Sequence, residues 1–187
     1  PEMAGIDLAV IGGTGVYRLA ALRDAEAVQG DTPWGKPSGP VRVGEFAGRR
    51  VAFLARHGEG HALPPHRVNY RANLWQLKQL GAQRVLAINT VGGITERFGP
   101  RVLALPDQLI DYTWGRAHTF VEDDPVVHAD FGEPFDPVLR RALERHVAVA
   151  ALALGLGVRL DDRPGRQHAL ERLGKGRCAR EREPDRG

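Results

Sequence analysis

The sequence predicts an α/β protein built on a mixed central β-sheet flanked by helices, and three observations carry that expectation. Short apolar runs stop abruptly at glycine loops: Asp7 to Ile11 ends at Gly12-Gly13-Thr14-Gly15, and Arg84 to Asn89 ends at Thr90-Val91-Gly92-Gly93. Between them, Asn69 to Gly81 places Tyr70, Leu74, Leu77 and Leu80 at helical spacing. Buried strands alternating with amphipathic helices are the signature of an α/β fold.

Taken in order, Asp7 to Ile11 reads as a buried strand delivering a glycine loop. Val41 to Phe46 and Arg50 to Ala55 are β-rich runs separated by Ala47-Gly48-Arg49, which predicts a hairpin. Arg56 to His66 is a polar loop carrying Gly, Pro and three His. The helix of residues 69–81 has Gly81 as its natural stop. Residues 84–89 read as a second buried strand, and 102–105 and 108–112 as short strands around Pro106. Asp136-Pro137 opens a further helix, with Asp as N-cap and Pro at the first position.

The 187 residues are enough to bury a sizeable core. No apolar run approaches the roughly 20 residues that a membrane span needs, so no membrane partner is expected. No signal peptide is visible at the start, and the single Cys178 permits neither an intramolecular disulfide framework nor a cysteine-based zinc cluster. These features point to a reducing cytoplasm. The pI of 9.4 invites a nucleic-acid reading, but the charge is unevenly placed. Residues 159–187 hold nine of the 26 Lys/Arg and six of the 23 Asp/Glu, leaving 17 of each sign in residues 1–158. The body has no net basic bias, and no nucleic-acid partner is expected. The domain boundary follows the same change. Residues 1–158 read as one α/β domain, and 159–187, where 15 of 29 residues are charged, as a disordered tail.

In an open α/β sheet, ligands sit beyond the C-terminal ends of strands, and the loops 12–15, 56–66 and 90–93 all hold that position. Glycines let a backbone approach an anion, and the Thr14 hydroxyl adds a donor. The guanidinium of Arg56 can bind a phosphate through two parallel hydrogen bonds, with His57 as a further donor or a tuner of protonation. Thr90 and the amides of the following glycines suit an anion again. Each loop alone is equally a plain turn; the convergence of three predicts one shared phosphate site. A dinucleotide fingerprint fails because Arg18 stands where the third glycine belongs, and no Lys-Ser/Thr follows to make a Walker loop. The spacing of His61, His66, His118 and His128 matches no zinc motif, so no metal is expected. Trp75, within the predicted helix, reads as core.

Several stretches together resemble the methylthioadenosine phosphorylase branch of the purine nucleoside phosphorylases. They are Leu8 to Gly15, Asp31-Thr32-Pro33-Trp34-Gly35-Lys36-Pro37-Ser38, Ala55-Arg56-His57-Gly58 with His61, and Val68 to Asn73. Asn89-Thr90-Val91-Gly92-Gly93-Ile94, Gln108 to Thr113 and Glu133-Pro134-Phe135 continue the match, which spans roughly residues 7–145. The wording of 72–79 and 109–113 is most similar to the bacterial S-methyl-5'-thioinosine phosphorylases. The resemblance implies phosphorolysis of a 5'-methylthio purine nucleoside to a free purine and 5-methylthioribose 1-phosphate. It implies a homotrimer with sites near subunit interfaces, and no cofactor beyond inorganic phosphate as co-substrate. It assigns Thr14, Arg56, His57 and Thr90 to phosphate, and Val91 with Gly92 to the adjoining ribose. His61 and His128 would line the 5'-alkylthio pocket, the second contributed by a neighbouring subunit.

The family's later segments, a Gln-Gly-Pro-Arg-Leu-Glu-Thr type and a Met-Thr-Gly-Met-Pro-Glu type, have no counterpart after about residue 146. Nor does the Asp or Asn that contacts the purine, so no catalytic residue is expected in this chain. An out-of-frame GC-rich coding segment would produce such an ending. The alternative expectation is therefore an inactive fragment that at most binds phosphate or nucleoside.

Overall fold

A computed structural model describes residues 5–13, 22–122, 127–154 and 157–159. It divides into two units, residues 1–91 with 112–128, and residues 92–111 with 129–187. Both the charged tail from 160 onward and Thr14 lie outside the described residues.

The first unit is built on a five-stranded mixed sheet with helical structure packed on it, as the sequence predicts. Its strands are β1 (Leu8–Gly12), β2 (Arg23–Val28), β3 (Val41–Phe46), β4 (Arg49–Ala55) and β5 (Val85–Ile88), in the spatial order β2-β3-β4-β1-β5. β2 pairs antiparallel with β3 and β3 with β4, while β4 and β5 both run parallel to β1. The β3–β4 hairpin turns at Ala47 and Gly48, whose φ angles of 50° and 72° are the pair that a tight hairpin turn with matching strand twist requires.

Helix α1 (Tyr70–Gln79) makes the crossover from β4 to β5. Asn69 caps it by accepting the Ala72 N–H at 3.1 Å, and Gly81, at φ 82°, stops it in the left-handed region. Leu77 of α1 is fully buried against Ala9, Ala52, Leu54 and Val41 on one face of the sheet. The alternate residues Val10, Val51 and Phe53 are buried on the other face. β1 and β4 are thus apolar on both sides, the pattern of interior strands covered on both faces of a sheet.

One strand lies outside the sequence expectations, and one expectation for this unit changes. β2 has almost no buried residue and a register shift between Arg23 and Glu26, so the sequence RDAEAV shows no alternation to read. β5 forms where expected but is not buried: Val85 and Ile88 are each 37% exposed. Among the described residues its only partner is β1, which makes it an edge strand.

The second unit has a parallel pair, β6 (Val102–Ala104) with β7 (Gly157–Arg159), and helix α2 (Pro137–Leu154). α2 opens as the sequence predicts, the Asp136 carboxylate accepting the Leu139 N–H at 2.6 Å. The Nε of Arg140 on its first turn donates to the Pro106 carbonyl at 3.2 Å. The strand expected over 108–112 is absent. Gln108 spends its side chain on backbone instead, accepting from Leu109 N at 2.8 Å and donating to the Gly132 carbonyl at 3.1 Å. Such local bonds compete with a strand ladder. A Cβ at Gly93 would fall on the Phe98 carbonyl, so only glycine fits there.

Candidate functional site

The register of the three parallel strands assembles the site. Gly12, the last residue of β1, lies opposite Ala55 of β4 on one side and Ile88 of β5 on the other. Gly13, Arg56 and Asn89 therefore leave the sheet side by side at its C-terminal edge. The Arg56 N–H donates to the Gly12 carbonyl at 2.9 Å, continuing the β1–β4 pairing by one residue.

The Arg56 guanidinium lies across Gly13. A Cβ on Gly13 would stand 2.7 Å from Nη2 of Arg56. Nη1 donates to Oδ1 of Asn89, and Nε faces Nε2 of His57 at 3.4 Å. Neither partner is a carboxylate, and among the described residues no carboxylate pairs with Arg56. Its positive charge is held in place but not cancelled, which is what an anion-binding arginine needs.

His57 is 7% exposed, and the loop is folded around it. Its carbonyl accepts the Leu63 N–H at 2.8 Å, and its Nδ1 lies 2.9 Å from the Leu63 carbonyl. A carbonyl oxygen can only accept, so this contact places a proton on Nδ1. The ring lies against His61, centroids 4.5 Å apart. Gly58, at φ 73°, makes the turn between them, and a Cβ there would stand 2.9 Å from the Ser38 carbonyl.

Ser38 is fixed in turn by α1. Its N–H donates to Oδ1 of the buried Asn73 at 2.7 Å, and its Oγ accepts from Nδ2 of Asn73 at 2.9 Å. Asn69 Nδ2 donates to the Trp34 carbonyl at 2.7 Å, and Trp34 packs edge-on against Trp75, ring centroids 4.8 Å apart. The segment 31–38 is thus pinned to the helix at two points, and it backs the Arg56–His57 loop.

Of the residues singled out from sequence, Arg56, His57 and His61 are brought together. Thr90 and Val91 follow Asn89 directly from the end of β5; both are exposed, Val91 by 78%, and Gly92 is exposed beside them. His128 is exposed, and none of the hydrogen bonds of Arg56 and His57 described above goes to it. Two residues were not assigned a place from sequence. Asn89 reads only as the end of a strand, and Gly13 reads as backbone room for an anion, whereas the room above it holds the guanidinium.

Residues 7–165 match the model of the phosphorylase superfamily. This chain belongs to that superfamily. The chain is 62% identical over 154 residues to a probable S-methyl-5'-thioinosine phosphorylase of Xanthomonas campestris, covering 81% of this chain and 62% of that protein. It is 46% identical over 134 residues to the S-methyl-5'-thioadenosine phosphorylase of Pyrococcus furiosus, covering 72% and 51%. Among solved structures, a methylthioadenosine phosphorylase from an antarctic soil metagenomic library superimposes with a TM-score of 0.75 at 34% identity, over 90% of this chain and 62% of that one. A variant adenosine/methylthioadenosine phosphorylase of Schistosoma mansoni in complex with methylthioadenosine gives 0.71 at 36% identity, over 79% and 53%. The chain thus spans about three fifths of the Xanthomonas relative. Among its described residues no helix is long and apolar enough to cross a membrane.

Proposed function

We propose that this chain carries the phosphate-binding part of an enzyme that cleaves the N-glycosidic bond of a 5'-methylthio purine nucleoside, methylthioinosine foremost. Phosphate is the acceptor, and the products are the free purine and 5-methylthioribose 1-phosphate. The observation that supports this reading best is the Arg56 guanidinium, held by Asn89 and His57 with no carboxylate partner among the described residues, at the C-terminal edge of the parallel strands. The identity of 62% to a thioinosine-type relative favours the 6-oxo base.

The chemistry explains why such a site suffices without a protein nucleophile. As the C–N bond breaks, the ribosyl C1' gains oxocarbenium character. A phosphate dianion held below the sugar stabilises that charge and then attacks C1', while the electron pair of the broken bond leaves with the purine. Placement and electrostatics supply the acceleration. In this reading Arg56 is the principal phosphate ligand, with Thr14, His57 and Thr90 beside it. Val91 and Gly92 border the ribose, and His61 and His128 the methylthio group. The assembly would be a trimer acting in purine salvage in the cytoplasm, with phosphate as co-substrate and no other cofactor.

A second reading is binding without turnover. It is favoured by the exposed edge of β5 beside the site. A phosphorolysis assay with methylthioinosine, methylthioadenosine and inosine, each with inorganic phosphate, separates the two. Phosphate-dependent purine release, fastest with methylthioinosine, supports the enzyme reading. Phosphate binding with no purine release supports the second, and failure to bind phosphate overturns both.

A further inference from the structure

We propose that Asn89 is a positioning residue that tethers Arg56 and, by being an amide, leaves its charge available to an anion. The inference rests on the reading of Arg56 as the phosphate ligand, and it gives a role to a residue outside the ligand set.

The side chain of arginine is long and carries about 2 kcal/mol of rotamer entropy when free. At an exposed sheet edge such a group wanders unless it is tied. Two features tie it here. On one side Gly13 has no Cβ, so the guanidinium can lie down across the end of β1. On the other, Oδ1 of Asn89 receives Nη1. The His57 contact, at 3.4 Å, is at the long limit of a hydrogen bond and leaves Asn89 as the main fastening. Because Gly12 pairs with both Ala55 and Ile88, the tether spans three adjacent strands, and its geometry is set by sheet register rather than by a loop.

The identity of the tether matters as much as its presence. An aspartate at 89 would hold the guanidinium at least as well, since charge-assisted bonds are the stronger ones. It would also pair the charge and set a carboxylate beside an incoming dianion. An amide oxygen fixes the arginine and leaves its field unpaired. Position 89 therefore favours Asn over Ala for order and over Asp for charge.

The test uses the full 187-residue chain, Asn89→Ala and Asn89→Asp, and two readouts. Nitrogen-15 relaxation of the Arg56 Nε–H reports whether the side chain is fixed, with no ligand present. Calorimetric titration with inorganic phosphate reports affinity. In Asn89→Ala the Arg56 signal becomes mobile and the phosphate Kd rises about tenfold, the scale of one lost bond to a charged group. In Asn89→Asp the signal stays ordered while the Kd rises at least as far. In an Arg56→Ala background, Asn89→Ala changes the residual phosphate affinity no further. Arg56 equally ordered in Asn89→Ala overturns the tether, and wild-type affinity in Asn89→Asp overturns the charge argument. If the wild-type chain binds no phosphate, the phosphate reading fails, while the relaxation comparison still decides the tether.

Discussion

Nη2 of Arg56 occupies the space that a side chain at Gly13 would fill, 2.7 Å from where its Cβ would stand. A glycine loop at the end of a strand is commonly taken as room for a ligand. Here the second glycine of the loop makes room for the protein's own cation.

Gly13→Ala tests that relationship. Its nearest obstruction is the far end of a flexible side chain, so the fold should absorb the methyl group by moving Arg56. Unfolding free energy should change by less than about 1 kcal/mol, the range of a tolerated small-residue change. Phosphate affinity should fall about tenfold, as for loss of one charge-assisted bond. Urea unfolding and phosphate titration on the same protein check both halves. A large loss of stability would mean that the backbone itself, not Arg56, fills the space.

Gly58→Ala should do the reverse. Gly58 sits at φ 73°, and its Cβ would meet the Ser38 carbonyl, a backbone atom, at 2.9 Å. Left-handed strain and the clash together should cost about 1–3 kcal/mol. The urea midpoint should drop accordingly, and the loop carrying His57 and His61 should lose its protection from amide exchange. A wild-type midpoint would show that the turn can rearrange freely.

The parts of the fold that could be read from sequence are those whose signal is local. Ile11 before Gly12, Asn69 before α1, Asp136 before Pro137 and Gly48 in the hairpin each announce their element through a period, a cap or a turn. The parts that could not be read depend on register. Nothing near Asn89 says that Gly12 will lie between Ala55 and Ile88, so its contact with Arg56, 33 positions away, has no sequence signature. β5 was misread as buried for a related reason. Val85 to Ile88 has the composition of an interior strand, while its exposure depends on which strands lie beside it. Gln108 shows a local choice that composition hides, its side chain bonding to backbone where a ladder was expected.

Asn73→Ala should weaken the fold from a distance. Both ends of the Asn73 amide are used on Ser38, and the residue is buried, so alanine leaves the Ser38 N–H and hydroxyl without their partners. The expected cost is about 2 kcal/mol, against about 1 kcal/mol for the cap variant Asn69→Ala. Urea unfolding of the two variants side by side checks the order. Because Ser38 backs Gly58, Asn73→Ala should also raise the phosphate Kd although Asn73 makes no contact with Arg56. Equal losses in the two variants would show that the Ser38 bonds carry little.

Val85→Lys concerns the open edge of the sheet. β5 pairs only with β1 among the described residues, and its run Val-Leu-Ala-Ile has neither charge nor proline to discourage another strand. Exposed apolar edges of this kind template pairing between chains, and a lysine on the edge is the device that natural sheets use against it. Val85 is 37% exposed, so a lysine there can reach water along its own stem. Its partner in register is Ala9, at the N-terminal half of β1 and away from Gly13 and Arg56. Light scattering at rising protein concentration should show less self-association for Val85→Lys than for wild type. The urea midpoint should stay within about 0.5 kcal/mol, as for other surface changes. Phosphate affinity should not move. If association is unchanged, some other apolar surface, such as the exposed Ile110, Tyr112 and Trp114, drives it, and the β5 edge is protected without a charge.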